Sequence, residues 1–264
     1  LPDMAPHYLQ TLRASNPDGL FRSGINPALQ KRAQGILEGY AAQYGGNLVG
    51  SIAAIVLDVR RGEPVIYCGN VCSETADGAA VDAARARRSS GSTLKPLLYA
   101  AMLDSGTLLP TMLVADTPFH FKDFSPSNYN HNFDGAVTAE SVIQRSLNVP
   151  SVRMLHEYGI APFIDILQRC GFTTIDRGEE TYGLSLILGG AEITLWDLVN
   201  SYRNMALRLK GGHEGCCPLS RGAVWCTFEA LKGVQRPEEE SAWQNFSSSR
   251  EIAWKTGTSY GNRD

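Results

Sequence analysis

A serine three residues before a lysine, in Ser92-Thr93-Leu94-Lys95, is the pairing in this chain with the shortest route to chemistry. On a helix, residues i and i+3 share a face, one turn apart. An amine is thereby set beside a hydroxyl. Serine is a weak nucleophile until a neighbour takes its proton, and a partly desolvated lysine is neutral enough to do so. A helix N-terminus at that point also favours negative charge forming at the serine. Ser-x-x-Lys is a common string, and elsewhere it is mostly a solvated helix face. Here only Lys95 of six lysines has serine at that offset, and its apolar neighbours (Leu94, Pro96, Leu97, Leu98, Tyr99) predict burial.

Two further strings follow. Ser146-Leu147-Asn148 puts a hydroxyl and a carboxamide at alternate positions between helix-like segments. On a tight turn both can point into one cleft, the hydroxyl to pass a proton and the amide to hold a substrate carbonyl. Alone, it reads more readily as a helix end, with Asn148 as C-cap and Pro150 opening the next helix. Lys255-Thr256-Gly257-Thr258 falls on a predicted strand over 251–258. Alternation places Thr256 and Thr258 on one face, with Lys255 facing the other way or across the edge. Gly257 leaves room for a ligand or another backbone. Such a strand can grip a carboxylate and pair with an extended peptide.

The elements that must position these residues follow from punctuation and period. Asn26-Pro27 opens a helix, with Asn as N-cap and Pro at N1. Leu29, Ala33, Ile36, Leu37 and Tyr40 recur at helical spacing and are expected to face a core; Gly45-Gly46 ends the helix. Ser51–Asp58 and Pro64–Cys68 read as strands joined by a turn at Arg60-Arg61-Gly62. Leu94–Leu103 is a compact apolar helix, and 116–135 a long surface loop. Helices are expected at 138–148, 150–158 and 162–170, and from the Thr194/Asp197 capping pair to Gly211-Gly212. A polar stretch, Pro237 to Ser249, precedes the last strand. This order fits an α/β layout with a helical insertion.

Composition excludes several classes. The chain has 264 residues, 43% of them hydrophobic, and a net charge of -3, an ordinary globular balance without the basic excess of a nucleic-acid binder. No apolar run approaches the ~20 residues that span a bilayer. The six cysteines (Cys68, Cys72, Cys170, Cys216, Cys217, Cys226) form no zinc knuckle, and no metal or other cofactor is expected. They read as core thiols or as one disulfide joining Cys216 or Cys217 to Cys226. The histidines (His7, His120, His131, His156, His213) read as loop and surface residues, and Asp116 and Asp123 as parts of a solvated loop. Tyr129, Phe133 and Tyr260 read equally as cleft rim or as packing.

Each of the three strings is unique in the chain, and together, in this order, they resemble the transpeptidase domain of class A, bifunctional penicillin-binding proteins. The resemblance runs from about residue 20 to the end. It includes Asn26–Gln30, Arg87–Pro96, Arg145–Pro150, Gly183–Glu192 and Trp254–Ser259. Asn132-Phe133-Asp134-Gly135 and Gly261-Asn262-Arg263-Asp264 look most like the 1C subtype. It implies a serine β-lactamase-like fold, an antiparallel sheet with flanking helices and a helical subdomain. Residues 1–24 would be a linker from an upstream domain, and 25–264 the transpeptidase domain, lacking its C-terminal strands. The implied function is D,D-transpeptidation of peptidoglycan stem peptides at the periplasmic face of the bacterial inner membrane, inhibited by β-lactams. The parent would be membrane-anchored and carry a glycosyltransferase domain.

By the same resemblance, Ser92 is the nucleophile, Lys95 its base, Ser146 a proton relay and Lys255 the group that polarises it. Asn148 holds the donor amide. Thr256 and Thr258 bind the terminal carboxylate beside Gly257, and the Ser92 and Thr258 N–H groups form an oxyanion hole. Leu147 stands where β-lactamases usually have Asp, and none of Glu179, Glu180 and Glu192 sits in the loop pattern of a deacylating glutamate. A lactamase or penicillin sensor, and a non-catalytic binding module, are the competing readings. Without the missing strands, the Lys255–Thr258 segment is expected to lack a sheet neighbour, and the chain to be a poor catalyst.

Overall fold

The computed structural model describes residues 4–15, 17, 19–44, 50–71, 80–211, 217–234 and 251–259. Gly45-Gly46, Cys72, Gly212, His213, Cys216, Pro237–Ser249, Tyr260 and Gly261–Asp264 lie outside them. Along the chain run α1 (Pro6–Ser15), α2 (Pro27–Tyr44), β1 (Ile52–Leu57), β2 (Pro64–Val71), α3 (Lys95–Asp104), β3 (Leu113–Asp116) and β4 (Gly135–Thr138). There follow α4 (Ala139–Gln144), α5 (Asn148–Tyr158), α6 (Ile160–Arg169), α7 (Glu179–Tyr182), a 3₁₀ segment (Gly183–Leu188), α8 (Leu195–Leu209) and α9 (Arg221–Lys232). The chain divides into two compact units, one of residues 1–88 and 193–207, the other of 89–192 and 208–264.

In the first unit β1 and β2 form an antiparallel hairpin with Ile55 opposite Tyr67. Its turn is fixed by Asp58 Oδ1, which accepts from the N–H groups of Arg60 and Arg61, and by Gly62 at φ 72°. Asn26 caps α2 as expected, its Oδ1 accepting from the Ala28 and Leu29 N–H groups. The expected core face of α2 is wrong. Leu29, Ile36 and Tyr40 are exposed, and Gln30 and Ala41 are the buried residues. The reason is the edge of β2. Gln30 Nε2 donates to Tyr67 O and its Oε1 accepts from Tyr67 N, so one carboxamide satisfies a strand edge as a neighbouring strand would. That need turns Gln30 inward against the apolar period. Within 1–24, where no period is legible, α1 packs on β2 with Tyr8 and Tyr67 ring centroids 5.1 Å apart, and His7 is buried rather than on the surface. Thr194 Oγ1 accepts from Asp197 N and starts α8.

The second unit is organised around α3, which is buried from Lys95 through Met102 and packs against α4, α5, α6 and α9. Helix α9 has no counterpart among the expected elements; Ser220 caps it through Ala223 N. The pair β3–β4 is also unexpected, and brackets the long loop with Asp116 opposite Gly135. Cys226 on α9 and Cys68 on β2 are free thiols, so Cys226 forms no disulfide with Cys216 or Cys217. Helix α4 stops at Gln144, four residues short of its expected end. Leu147 N donates to Val142 O and Ser146 N to Ile143 O, the two bonds of a Schellman ending, with Ser146 at φ 53° in the left-handed position. Residues 251–259 form no strand. A strand requires a ladder, and here Trp254 N donates instead to Leu231 O at the end of α9.

Candidate active site

Ser92 lies in the turn that leads into α3, one residue before the helix cap Leu94's neighbour Thr93. Thr93 N donates to Ser90 O and Lys95 N to Ser92 O, so tight i to i+3 turns wind the chain into the helix. Ser92 thus enters the helix through these turns and does not itself lie within the α-helix, which begins at Lys95.

Lys95 is 1% exposed. Its Nζ donates to Asn148 Oδ1 at 2.7 Å and to Ser146 O at 2.9 Å. Burial, reinforced by the charge of Lys255, holds its pKa well below the usual lysine value. A neutral amine has two N–H donors and one lone pair. Both donors have acceptors here, so the lone pair is left to take a proton. Lys255 Nζ donates to Ser146 Oγ at 2.7 Å, and burial lowers its pKa to about 8. At neutral pH it is mainly an ammonium ion. Because Ser146 Oγ accepts from that ammonium, its own O–H is free to donate elsewhere.

The sharp turn that ends α4 explains how Ser146 serves both lysines. In the left-handed conformation it presents its carbonyl to Lys95 and its hydroxyl to Lys255. Asn148 is the first residue of α5, not a C-cap, and its Nδ2 donates to Ser127 O at 3.0 Å. One amide proton and one lone pair remain for a ligand.

The Lys255–Thr258 segment meets the Ser92 turn through two glycines. A Cβ on Gly91, at φ 50°, would lie 2.8 Å from Thr258 N. A Cβ on Gly257 would lie 2.8 Å from Thr93 Cγ2, 3.3 Å from Ser90 O and 3.5 Å from Ser92 N. Only glycine at both points allows this approach of two backbones. Thr256 and Thr258 are exposed beside it, and Thr256 O accepts from Lys255 Nζ. The strings at 92–95, 146–148 and 255–258 thus come together in one unit.

The sequence reading missed the residues behind Asn148. Asp116, expected in a solvated loop, is 1% exposed, and Asn128 is 2% exposed. They form a buried pair whose contacts end at the start of α5. Tyr129 beside them is 96% exposed, which rules out the packing reading for its ring. Among the described residues no group of His, Cys, Asp and Glu side chains is gathered as a metal site, and no helix is long and apolar enough to cross a membrane.

The chain is similar to known proteins along its whole length. The chain is 31% identical to penicillin-binding protein 1C of Escherichia coli over 276 residues, covering 100% of the chain and 35% of that relative. It is 31% identical to penicillin-binding protein 1A of Pseudomonas aeruginosa over 138 residues, 50% of the chain and 16% of that relative. It therefore spans about a third or less of the length of these relatives. The structure of the PonA1 protein from Mycobacterium tuberculosis in complex with penicillin V shares the fold, with a TM-score of 0.72 at 17% identity over 97% of this chain and 75% of that one. The antiparallel, helix-flanked architecture expected from the sequence is thus the one found. Residues 52–263 match the penicillin binding protein transpeptidase domain model, and the chain belongs to that family.

Proposed function

We propose that this chain is a peptidoglycan D,D-transpeptidase domain that works through an acyl-enzyme on Ser92. The observation that supports it most is the lysine pair about Ser146: Lys95 Nζ bonded to Ser146 O and Asn148 Oδ1, and Lys255 Nζ bonded to Ser146 Oγ. In this reading Lys95 takes the Ser92 proton, and Ser92 Oγ attacks the carbonyl between the two terminal D-alanines of a stem peptide. The Ser92 and Thr258 N–H groups stabilise the oxyanion, a contribution of about 10²–10³ in rate per donor. Ser146, polarised by Lys255, protonates the leaving amine, and D-alanine departs. Asn148 holds the donor amide, while Thr256 and Thr258 bind the terminal carboxylate beside Gly257. An amine of a neighbouring stem peptide then attacks the ester, which restores Ser92 and forms the cross-link.

β-Lactams acylate the same hydroxyl, and the ester persists because the ring-opened product stays in the site. The setting is the periplasmic face of the bacterial inner membrane, within a longer, membrane-anchored protein that has a glycosyltransferase half. Mass spectrometry after incubation with penicillin tests the proposal. A single β-lactam adduct on the peptide that holds Ser92 is expected. No adduct, or one on another residue, refutes the serine mechanism. Rapid loss of the adduct would make the protein a β-lactamase instead.

A further inference from the structure

The loop between β3 and β4 is tied to both sides of the Ser146–Asn148 turn. Asn128 Oδ1 accepts from the N–H groups of Asn148 and Val149, each at 3.1 Å. These are the first two N–H groups of α5, whose own cap residue, Leu147, offers no side-chain acceptor. Asn128 therefore caps the helix from a distant part of the sequence. Its Nδ2 donates to Asp116 Oδ1 at 2.8 Å and to Asn132 O at 2.9 Å. Both amide protons are used and the oxygen accepts twice, so the carboxamide has one orientation only. Asp116 Oδ2 in turn accepts from Asp134 N at 3.0 Å. The Asp134 carboxylate pairs with Arg145, the residue before Ser146, at 2.6 Å. Ser127 O holds the Asn148 amide directly.

We propose that Asp116 and Asn128 are a positioning pair: the aspartate fixes the asparagine, and the asparagine sets Asn148 and the turn at Ser146 against Lys95. This rests on the transpeptidase reading only for its kinetic effect. The mechanism uses neither residue, and neither touches the reacting atoms. What they govern is where Asn148 Oδ1 and Ser146 O stand, the two acceptors of the Lys95 amine. Withdrawing those acceptors removes support for the protonated amine. The acid limb of the acylation rate then moves to lower pH, even as the misplaced turn slows the reaction.

The test measures the second-order rate of labelling by a fluorescent penicillin against pH. Asn128→Ala is expected to slow labelling by about 10–100-fold, as a misplaced catalytic group does, and to shift the acid limb downward. Asn128→Asp sets two carboxylates against each other and should be as slow. Adding Asp116→Asn restores one donor and one acceptor between them, and should recover most of the rate. Asp104→Ala, which removes the acceptor for Ser220 N at the start of α9, is the control for a lost helix cap away from the site. Its pH limb should not move. A parent-like rate and limb in Asn128→Ala overturns the proposal, as does a double variant no faster than Asn128→Asp alone. If the unsubstituted protein does not label at Ser92, the functional reading fails by itself. The pair is then judged by hydrogen exchange at the Asn148 and Val149 N–H groups. Faster exchange in Asn128→Ala supports the pair, and unchanged exchange refutes it.

Discussion

Lys95 and Lys255 both reach Ser146, one at its carbonyl and the other at its hydroxyl, but they stand on different supports. Lys95 opens a helix that is buried for two turns and packed by four others. Moving it means disturbing the core of the unit. Lys255 lies on a segment that belongs to no helix or strand and is followed by the exposed Thr256 and Thr258. Close approach at Gly91 and Gly257, and the Trp254 contacts with Leu231 O and Val234 O, hold that segment in place. The difference separates two tasks. The side proposed to move the proton is set by the same packing that folds the unit. The side proposed to bind a carboxylate is set by close approach at two glycines and by a few bonds to Ser146 and the end of α9, so it can change without the fold failing.

The largest effect expected is on the packed side. Lys95→Met should slow acylation by penicillin about 10²–10⁴-fold, the range for removing a positioned base. The fold should survive. The folded pKa of Lys95 lies below its unfolded value, so its contribution to stability is fully present only above the unfolded pKa and is lost as pH falls toward the folded one. At neutral pH burial of its charge works against folding, whereas Met leaves Ser146 O and Asn148 Oδ1 without their donor, so the variant should stay folded and melt close to the parent. Labelling kinetics with thermal melting check both halves. A variant that labels normally, or one that is active but unfolds early, breaks the comparison.

The contact side should answer to glycine. Gly91→Ala drives a methyl group into the Thr258 backbone and strains a positive φ. A cost of about 10²–10³ in acylation rate is expected, that of a displaced oxyanion donor. Gly257→Ala should cost less, because its nearest obstacle is the Thr93 methyl group and not backbone. Stopped-flow acylation ranks the two, and the reverse order would mean that the segment is held elsewhere.

That comparison was only half legible in the sequence. The residue types at 92–95, 146–148 and 255–258 announce their chemistry, and the caps at Asn26 and Thr194 are local, so they could be read directly. Asn128 could not. Its partners Asp116 and Asn148 lie 12 and 20 residues away, and an asparagine in a polar loop carries no mark of burial. Helix α9 was readable and was missed, since Ser220 precedes Ala223, Val224, Thr227, Ala230 and Leu231 at helical spacing. The inward turn of Gln30 defeats periodicity outright, because the strand edge it serves belongs to another part of the chain. Residues 251–258 have strand composition, but whether they form a strand depends on a neighbour that composition cannot name.

A smaller effect concerns pH. Lys255 is proposed to act as a cation, and its pKa lies at about 8. It gains charge below that value and loses it above, so acylation should decline as pH rises through about 8. Lys255→Arg keeps the charge to far higher pH. The alkaline limb of the labelling rate should move up by more than a pH unit, even if the neutral rate falls. An unmoved limb would assign that titration to another group.

The smallest effect tests the turn that serves both lysines. Ser146 holds a left-handed conformation that costs a side-chain-bearing residue about 1 kcal/mol or more relative to glycine. Ser146→Gly and Ser146→Ala each delete the hydroxyl and its bond to Lys255, so both should lose acylation alike. Their stabilities should differ, since only alanine keeps a Cβ at the strained position. Glycine should be the more stable by about 1 kcal/mol, less what it gives up in unfolded-chain entropy. Urea denaturation of the pair measures that difference with the lost hydrogen bond cancelled. If alanine is equal or better, the turn is not left-handed in solution. Ser146 could then not present its carbonyl to one lysine and its hydroxyl to the other in the way described.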